Sequence, residues 1–137
     1  MELADTSAWT ARQRSPELDA EFSRLLEHGA IATCDAVVYE LLKVEPDHAR
    51  VIARRDDLER VRTIPVGPRV WRRALDIVEE LAALGPGRHR PFPLADVLVA
   101  AAAERAEVPI LHYDKHFELI ASVTGQPVRA IAPLGSL

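Results

Sequence analysis

Cysteine occurs once in the 137 residues, at Cys34, so no internal disulfide can form, and this usage fits a reducing cytoplasm. No apolar run reaches the length of a membrane span. The opening Met-Glu-Leu-Ala-Asp is acidic and has no apolar h-region, so a signal peptide is not expected. Lysine is scarce, 2 residues beside 15 Arg. Arg binds phosphates through a planar fork, but GC-rich coding explains the same skew, so it carries little functional weight. A net charge of -4 argues against the simplest picture of a nucleic-acid binder. Phosphate-cradling glycine loops are absent. Ser7 and Ser122 lack the glycines of a nucleophile elbow, which argues against acyl transfer by serine. Five His and a lone Cys in no recognisable ligand spacing argue against zinc. His112 and His116 stand four apart, yet a strand-to-helix break between them removes the shared helical face. There is no internal repeat and no low-complexity segment.

What is present is 48% apolar residues, enough for one packed core, and 28% charged residues spread along the chain. The length predicts a single domain over 1–137. A strand from residue 1 or 2 ends at Asp5. Thr6–Gln13 reads as a short helix, with Thr6 or Ser7 available as cap. Pro16–His28 is a clearer helix, with Ser15 as N-cap, Pro16 at its first position, Leu18, Phe22, Leu25 and Leu26 on one face, and Gly29 ending it. Ala30–Thr33 is a strand, and Asp35–Val44 a helix capped by Thr33 or Asp35. Pro46 opens a charged helix to about Arg60, followed by a strand over Val61–Val66. Pro68–Leu84 is a long helix whose stripe is read as Val70, Trp71, Leu75, Val78, Leu81 and Leu84. Trp9 and Trp71 are most simply core or partner-facing. Residues 85–91 form a breaker-rich, basic loop. Then follow a helix from Pro93 to about Ala106, a strand Val108–Leu111, a helix Asp114–Val123 and a last strand Val128–Ile131. Helices alternating with short apolar strands predict an α/β layered domain with a mainly parallel sheet.

Four acids stand out in this pattern. Asp5 and Asp114 fall where strands end, and ligands of parallel sheets sit at the carboxyl ends of strands. Asp96 and Glu40 lie on helices among apolar neighbours, where an unpaired charge is costly. Each has an ordinary explanation: Asp5 and Asp114 as N-caps, Asp96 as a first-turn acid favoured by the helix dipole, Glu40 as a solvent-facing residue. Taken together they suggest one cluster. Two charges about 4 Å apart repel by roughly 4 kcal/mol at an effective dielectric of 20, so such a cluster holds protons or a cation. An all-oxygen donor set favours Mg²⁺ or Mn²⁺.

On these residues the chain resembles the PIN-domain ribonucleases of the VapC toxin type. Asp5-Thr6-Ser7-Ala8 resembles the family's opening Asp-Thr-Ser segment, and Val38-Tyr39-Glu40-Leu41-Leu42 its acidic second motif. Leu94-Ala95-Asp96 with the alanine-rich helix resembles the third motif, and Leu111-His112-Tyr113-Asp114-Lys115-His116-Phe117 the fourth. The resemblance implies a three-layer α/β/α fold with a central parallel sheet. It also implies Mg²⁺- or Mn²⁺-dependent cleavage of RNA to 5′-phosphate and 3′-hydroxyl ends, a homodimer, and a small VapB-type antitoxin that blocks the site. Asp5, Glu40, Asp96 and Asp114 match the acidic quartet. On this reading Asp5 and Asp96 are primary metal ligands, while Glu40 and Asp114 are further ligands or orient the attacking water. The apolar faces of the helices at 16–28 and 35–44 are candidates for the antitoxin groove.

This chain departs from the family pattern twice. His112 stands where Thr or Ser is common and removes a hydroxyl near the metal. His116 stands where a further Asp is common, which weakens a second metal site or shifts the pH dependence. Three rivals remain open. An aspartyl phosphatase wants a second Asp two residues after the first, where this chain has Ser7. A receiver-type module wants paired acids and a late Lys. A catalytically silent PIN-fold protein would keep the architecture without binding metal.

Overall fold

The computed structural model describes residues 1–137. Five strands form one all-parallel sheet: β1 Glu2–Ala4, β2 Ile31–Cys34, β3 Arg62–Ile64, β4 Ile110–His112 and β5 Val128–Ala130, in the order β3-β2-β1-β4-β5. Seven helices connect them: α1 Thr6–Ala11, α2 Pro16–Glu27, α3 Asp35–Lys43, α4 His48–Leu58, α5 Pro68–Ala82, α6 Leu94–Ala106 and α7 Lys115–Thr124. Leu3 sits opposite Ala32 on one side and Ile110 on the other. The first two connections travel toward β3, the later ones toward β5. Parallel crossovers are right-handed, so these two sets cover opposite faces of the sheet and make the α/β/α layers. No helix is long and apolar enough to cross a membrane.

The central strands carry small and branched apolar residues because both faces are covered. Leu3, Ala4, Ala32, Ile110 and Leu111 are fully buried. Helix α6 packs against α5, α7, β1, β3 and β4, and every residue from Asp96 to Ala103 is buried. That explains its alanine run. A helix enclosed on all sides shows no amphipathic stripe, and small side chains let its neighbours approach. Asp96 therefore enters the core as the first residue of an enclosed run that extends to Ala103.

Several boundaries differ from the sequence reading. Asp5, not Thr6 or Ser7, caps α1, and the helix tightens into a 3-10 turn at Arg12–Arg14. Neither Thr33 nor Asp35 caps α3; Cys34 holds the cap position without a side-chain bond. Helix α4 begins at His48, because Asp47 accepts from the Arg50 N–H at 2.9 Å and outcompetes Pro46 as the start. Strand β4 is shifted toward Ile110–His112, because the chain leaves α6 through Glu107 in a left-handed conformation and then passes Pro109. In α5 the buried face is Val70, Ala74, Ile77 and Leu81, a regular helical spacing in which Ala74 is the easily missed member. Trp71, Leu75 and Leu84 are exposed, while Trp9 is buried with its ring edge-on to Phe22 at 4.9 Å.

Glu107 is the one non-glycine residue with positive φ, at 56°. A left-handed L-residue costs about 1–2 kcal/mol, partly offset by the chain entropy that glycine loses. Glu107→Gly is expected to stabilise the fold by a net of about 0.5–1 kcal/mol, read as a rise in melting temperature.

Candidate active site

Adjacent strands β1 and β4 send their connections in opposite directions, which makes the gap beyond their carboxyl ends the topological switch point of the sheet. Asp5 directly follows β1, and its N–H donates to the Leu111 carbonyl of β4 at 2.9 Å. Asp114 follows β4 as the N-cap of α7. Asp96 comes from the first turn of α6 and Glu40 from α3. All four acids line one open cleft of about 320 Å³, with Thr6, Ser7, Thr10, Arg14 and Tyr113 among the other walls.

Short-range bonds set the acids in place. One Asp5 oxygen, Oδ2, accepts from the Ser7 N–H at 2.9 Å and from the Ser7 hydroxyl at 2.6 Å. Its other oxygen, Oδ1, is buried and has no donor. Asp5 is thus both a helix cap and a cleft acid with a free oxygen. The Ser7 hydroxyl in turn accepts from the Tyr113 N–H at 2.9 Å, tying the loop after β1 to the loop after β4. Thr6 donates to Glu40 Oε1 at 2.7 Å and anchors that carboxylate to the start of α1. Asp114 Oδ1 accepts from the His116 N–H at 2.9 Å, again cap and cleft acid at once. Ser7→Ala strands the Tyr113 N–H and frees Asp5. The expected result is a loss of about 1–3 kcal/mol of stability, measured by denaturant titration.

Two histidines complete the arrangement. His116 Nδ1 donates to Asp96 Oδ2 at 2.9 Å and lies 3.7 Å from Asp114 Oδ1. Its ring packs against Phe92 with centroids 4.9 Å apart. One donor atom each from Asp96, Asp114 and His116 lies within 4.8 Å of the others, so the tightest donor group contains His116 and omits Asp5 and Glu40. His112 is fully buried at the end of β4. Its Nδ1 accepts from the Asp114 N–H at 3.1 Å, which puts its proton on Nε2, facing Glu118 Oε1 at 3.1 Å. It therefore shapes the Asp114 loop.

Sequence reasoning gave Thr6 and Ser7 only a capping role beyond their place in the opening motif, and read His116 as weakening a second metal site or shifting the pH dependence, not as a member of the cluster. The missed signal was the cap itself. A residue two places after an N-cap lies in the first turn, and its side chain tilts back toward the helix N-terminus, here toward the acids.

Electrostatics follow from burial and crowding. Asp5, 3% exposed, has its pKa raised by burial, opposed by the Ser7 bonds and reinforced by Glu40. Asp96 is pushed up to about 6, by burial first and then by Asp5, with His116 pulling the other way and Asp114 adding to the rise. Burial lowers the pKa of His112. A cleft that resists its own ionisation and holds an oxygen without a donor is chemically suited to a hard cation.

Comparison with known proteins agrees with this geometry. The PIN domain family matches residues 3–123. The chain is 36% identical over 133 residues to Ribonuclease VapC18 of Mycobacterium tuberculosis, covering 97% of this chain and 96% of that protein. It is 36% identical over 138 residues to Ribonuclease VapC21 of the same species, covering 98% and 96%. Among solved structures, VapBC2 from Rickettsia felis bound to a promoter DNA fragment superposes with a TM-score of 0.72 at 14% identity, covering 94% of this chain and 97% of that one. VapBC-1 from nontypeable Haemophilus influenzae gives 0.72 at 19% identity, covering 95% and 97%. The structural likenesses carry the fold and the curated relatives carry the family: the chain belongs to the PIN-domain family, among its VapC ribonucleases.

Proposed function

We propose that the chain is a Mg²⁺- or Mn²⁺-dependent endoribonuclease, the toxin member of a toxin–antitoxin pair acting in the cytoplasm, that leaves 5′-phosphate and 3′-hydroxyl ends. The observation that carries this reading is the convergence of Asp5, Glu40, Asp96 and Asp114 on one cleft at the switch point of the sheet. The donor set fits a hard dication: carboxylate oxygens predominate, and Asp5 Oδ1 is buried without a partner.

Asp5 and Asp96 would hold the ion, with Glu40 and Asp114 as further ligands or as acceptors that orient the attacking water. A bound dication supplies charge neutralisation at the scissile phosphate and a more acidic water. The chain's own residues do the rest. Arg14, the only Arg or Lys lining the cleft, faces the phosphate backbone. Glu40, fixed by Thr6, and Asp114, fixed by its cap, present oxygens that take hydrogen bonds from the water. Water oxygen bonds to phosphorus as the bond to the 3′ oxygen breaks, and that oxygen leaves with a proton as the 3′-hydroxyl.

The VapBC names of the structural neighbours support a VapB-type antitoxin as partner, and the family resemblance extends the proposal to a second copy of the chain. An apolar groove between α3 and α4, lined by Val38, Tyr39, Leu42 and Leu58, is the favoured antitoxin seat, since Tyr39 is 65% exposed there. Helix α2 offers less, because Phe22 is buried and its neighbouring leucines are half-buried. Analysis of product ends tests the chemistry. Fragments carrying 5′-phosphates are expected. A 2′,3′-cyclic phosphate would mean that the RNA's own 2′-hydroxyl attacks and would overturn the proposal.

A further inference from the structure

We propose that His116 is itself a metal ligand, and that through its Nδ1 the site favours a first-row transition dication over Mg²⁺. This rests on the metal-dependent reading above and concerns which ion that site takes. The family resemblance puts an acid at this position. Here the histidine ring faces the acids and keeps a donor atom among them.

Instead Nδ1 lies 2.9 Å from Asp96 Oδ2 and 3.7 Å from Asp114 Oδ1. Neighbouring ligands of an octahedral ion with bonds of about 2.1 Å stand about 3 Å apart, so the Asp96–His116 spacing is that of two adjacent ligands. The ring is held in place by the His116 N–H bond to Asp114 and by Phe92. An independent sign of a cation site is Asp5, 3% exposed, which lines the cleft shared with Asp96 and Asp114 and whose Oδ1 has no donor.

Without metal, the Nδ1 proton occupies the line between nitrogen and carboxylate. Ligation uses the neutral ring with its proton on Nε2. Mg²⁺ demands oxygen and dehydrates reluctantly, whereas transition ions accept imidazole nitrogen. The competing role is positional, with His116 orienting Asp96 while the ion binds only oxygens.

Pulsed EPR of Mn²⁺ bound to the wild-type chain distinguishes these roles. The inference expects ¹⁴N modulation from a coordinated imidazole, lost in His116→Asp. Calorimetry with Mn²⁺ alone and Mg²⁺ alone should show the Mn²⁺-to-Mg²⁺ affinity ratio falling about tenfold or more in that variant. Bound Mn²⁺ without nitrogen coupling in the wild type would overturn the inference and leave the metal-dependent reading standing. So would coupling that persists in His116→Asp, or an unchanged ratio. The wild-type spectrum decides even if the variant misfolds. Failure of the wild type to bind Mn²⁺ at all would instead overturn the metal-dependent reading, and this inference with it.

Discussion

Asp96→Asn is expected to lower RNA cleavage by on the order of 10³-fold while raising the melting temperature of the metal-free protein. The two effects have one cause. Asp96 is enclosed in α6, and its pKa is pushed up to about 6 by burial and by Asp5 and Asp114. At about pH 7.5 it is ionised against that resistance, at a cost on the order of 3 kcal/mol relative to the unfolded chain. Asparagine keeps the shape and still accepts from His116 Nδ1, but carries no charge for its neighbours to repel. It also cannot serve as an anionic donor to a cation. A purely structural Asp96 predicts the reverse, a destabilised variant. Cleavage of a labelled RNA and a thermal melt in chelator, run side by side, separate the two. Loss of stability together with retained activity would sink the assignment.

Divalent metal is expected to stabilise the wild type, and more so at neutral pH than at acid pH. An ion at a hundred times its dissociation constant contributes about 2.7 kcal/mol, or a melting shift of roughly 8 °C for a chain of this size. The pH dependence follows from Asp96. Its folded pKa, about 6, lies above the ordinary 3.8, so the folded state binds the extra proton between those values. The stability this contributes is fully present below the unfolded pKa and is lost as pH rises through about 6. Asp5, also raised, acts in the same sense. Metal reverses the trend, because it binds the ionised carboxylates and competes with protons. Melts at about pH 5 and about pH 7.5, with and without Mn²⁺, should show a small metal shift at the first and a large one at the second. Equal shifts at both would contradict the placement of the ion against Asp96.

Much of this was legible in the sequence because the acids sit at marked places. Asp5 and Asp114 follow apolar strands, and Asp96 interrupts an apolar run, so their cleft could be anticipated from local pattern. Asp5 and Asp114 also cap helices, so the ordinary explanation and the cluster hold together: one oxygen of Asp5 caps and the other is left free. Less legible was what depends on three-dimensional closeness. Ser7 joins Asp5 to Tyr113 across 106 residues of chain, and no local signal reports that. The face of α5 was misread because Trp71 and Leu75 are bulkier than Ala74, whereas α6 and α7, against which α5 packs, select by spacing. The pairing of His116 with His112 was rejected on helical periodicity and His116 itself was read as weakening a metal site, whereas the cap turns it back toward the acids.

The most direct test of the central claim is cleavage of RNA by purified protein after exhaustive chelation, then after return of Mn²⁺ or Mg²⁺, with Asp5→Asn in parallel. The wild type is expected to be inactive in chelator and active on addition of either ion, and Asp5→Asn inactive in both states though folded. Undiminished cleavage in chelator, or full activity of Asp5→Asn, would contradict the account.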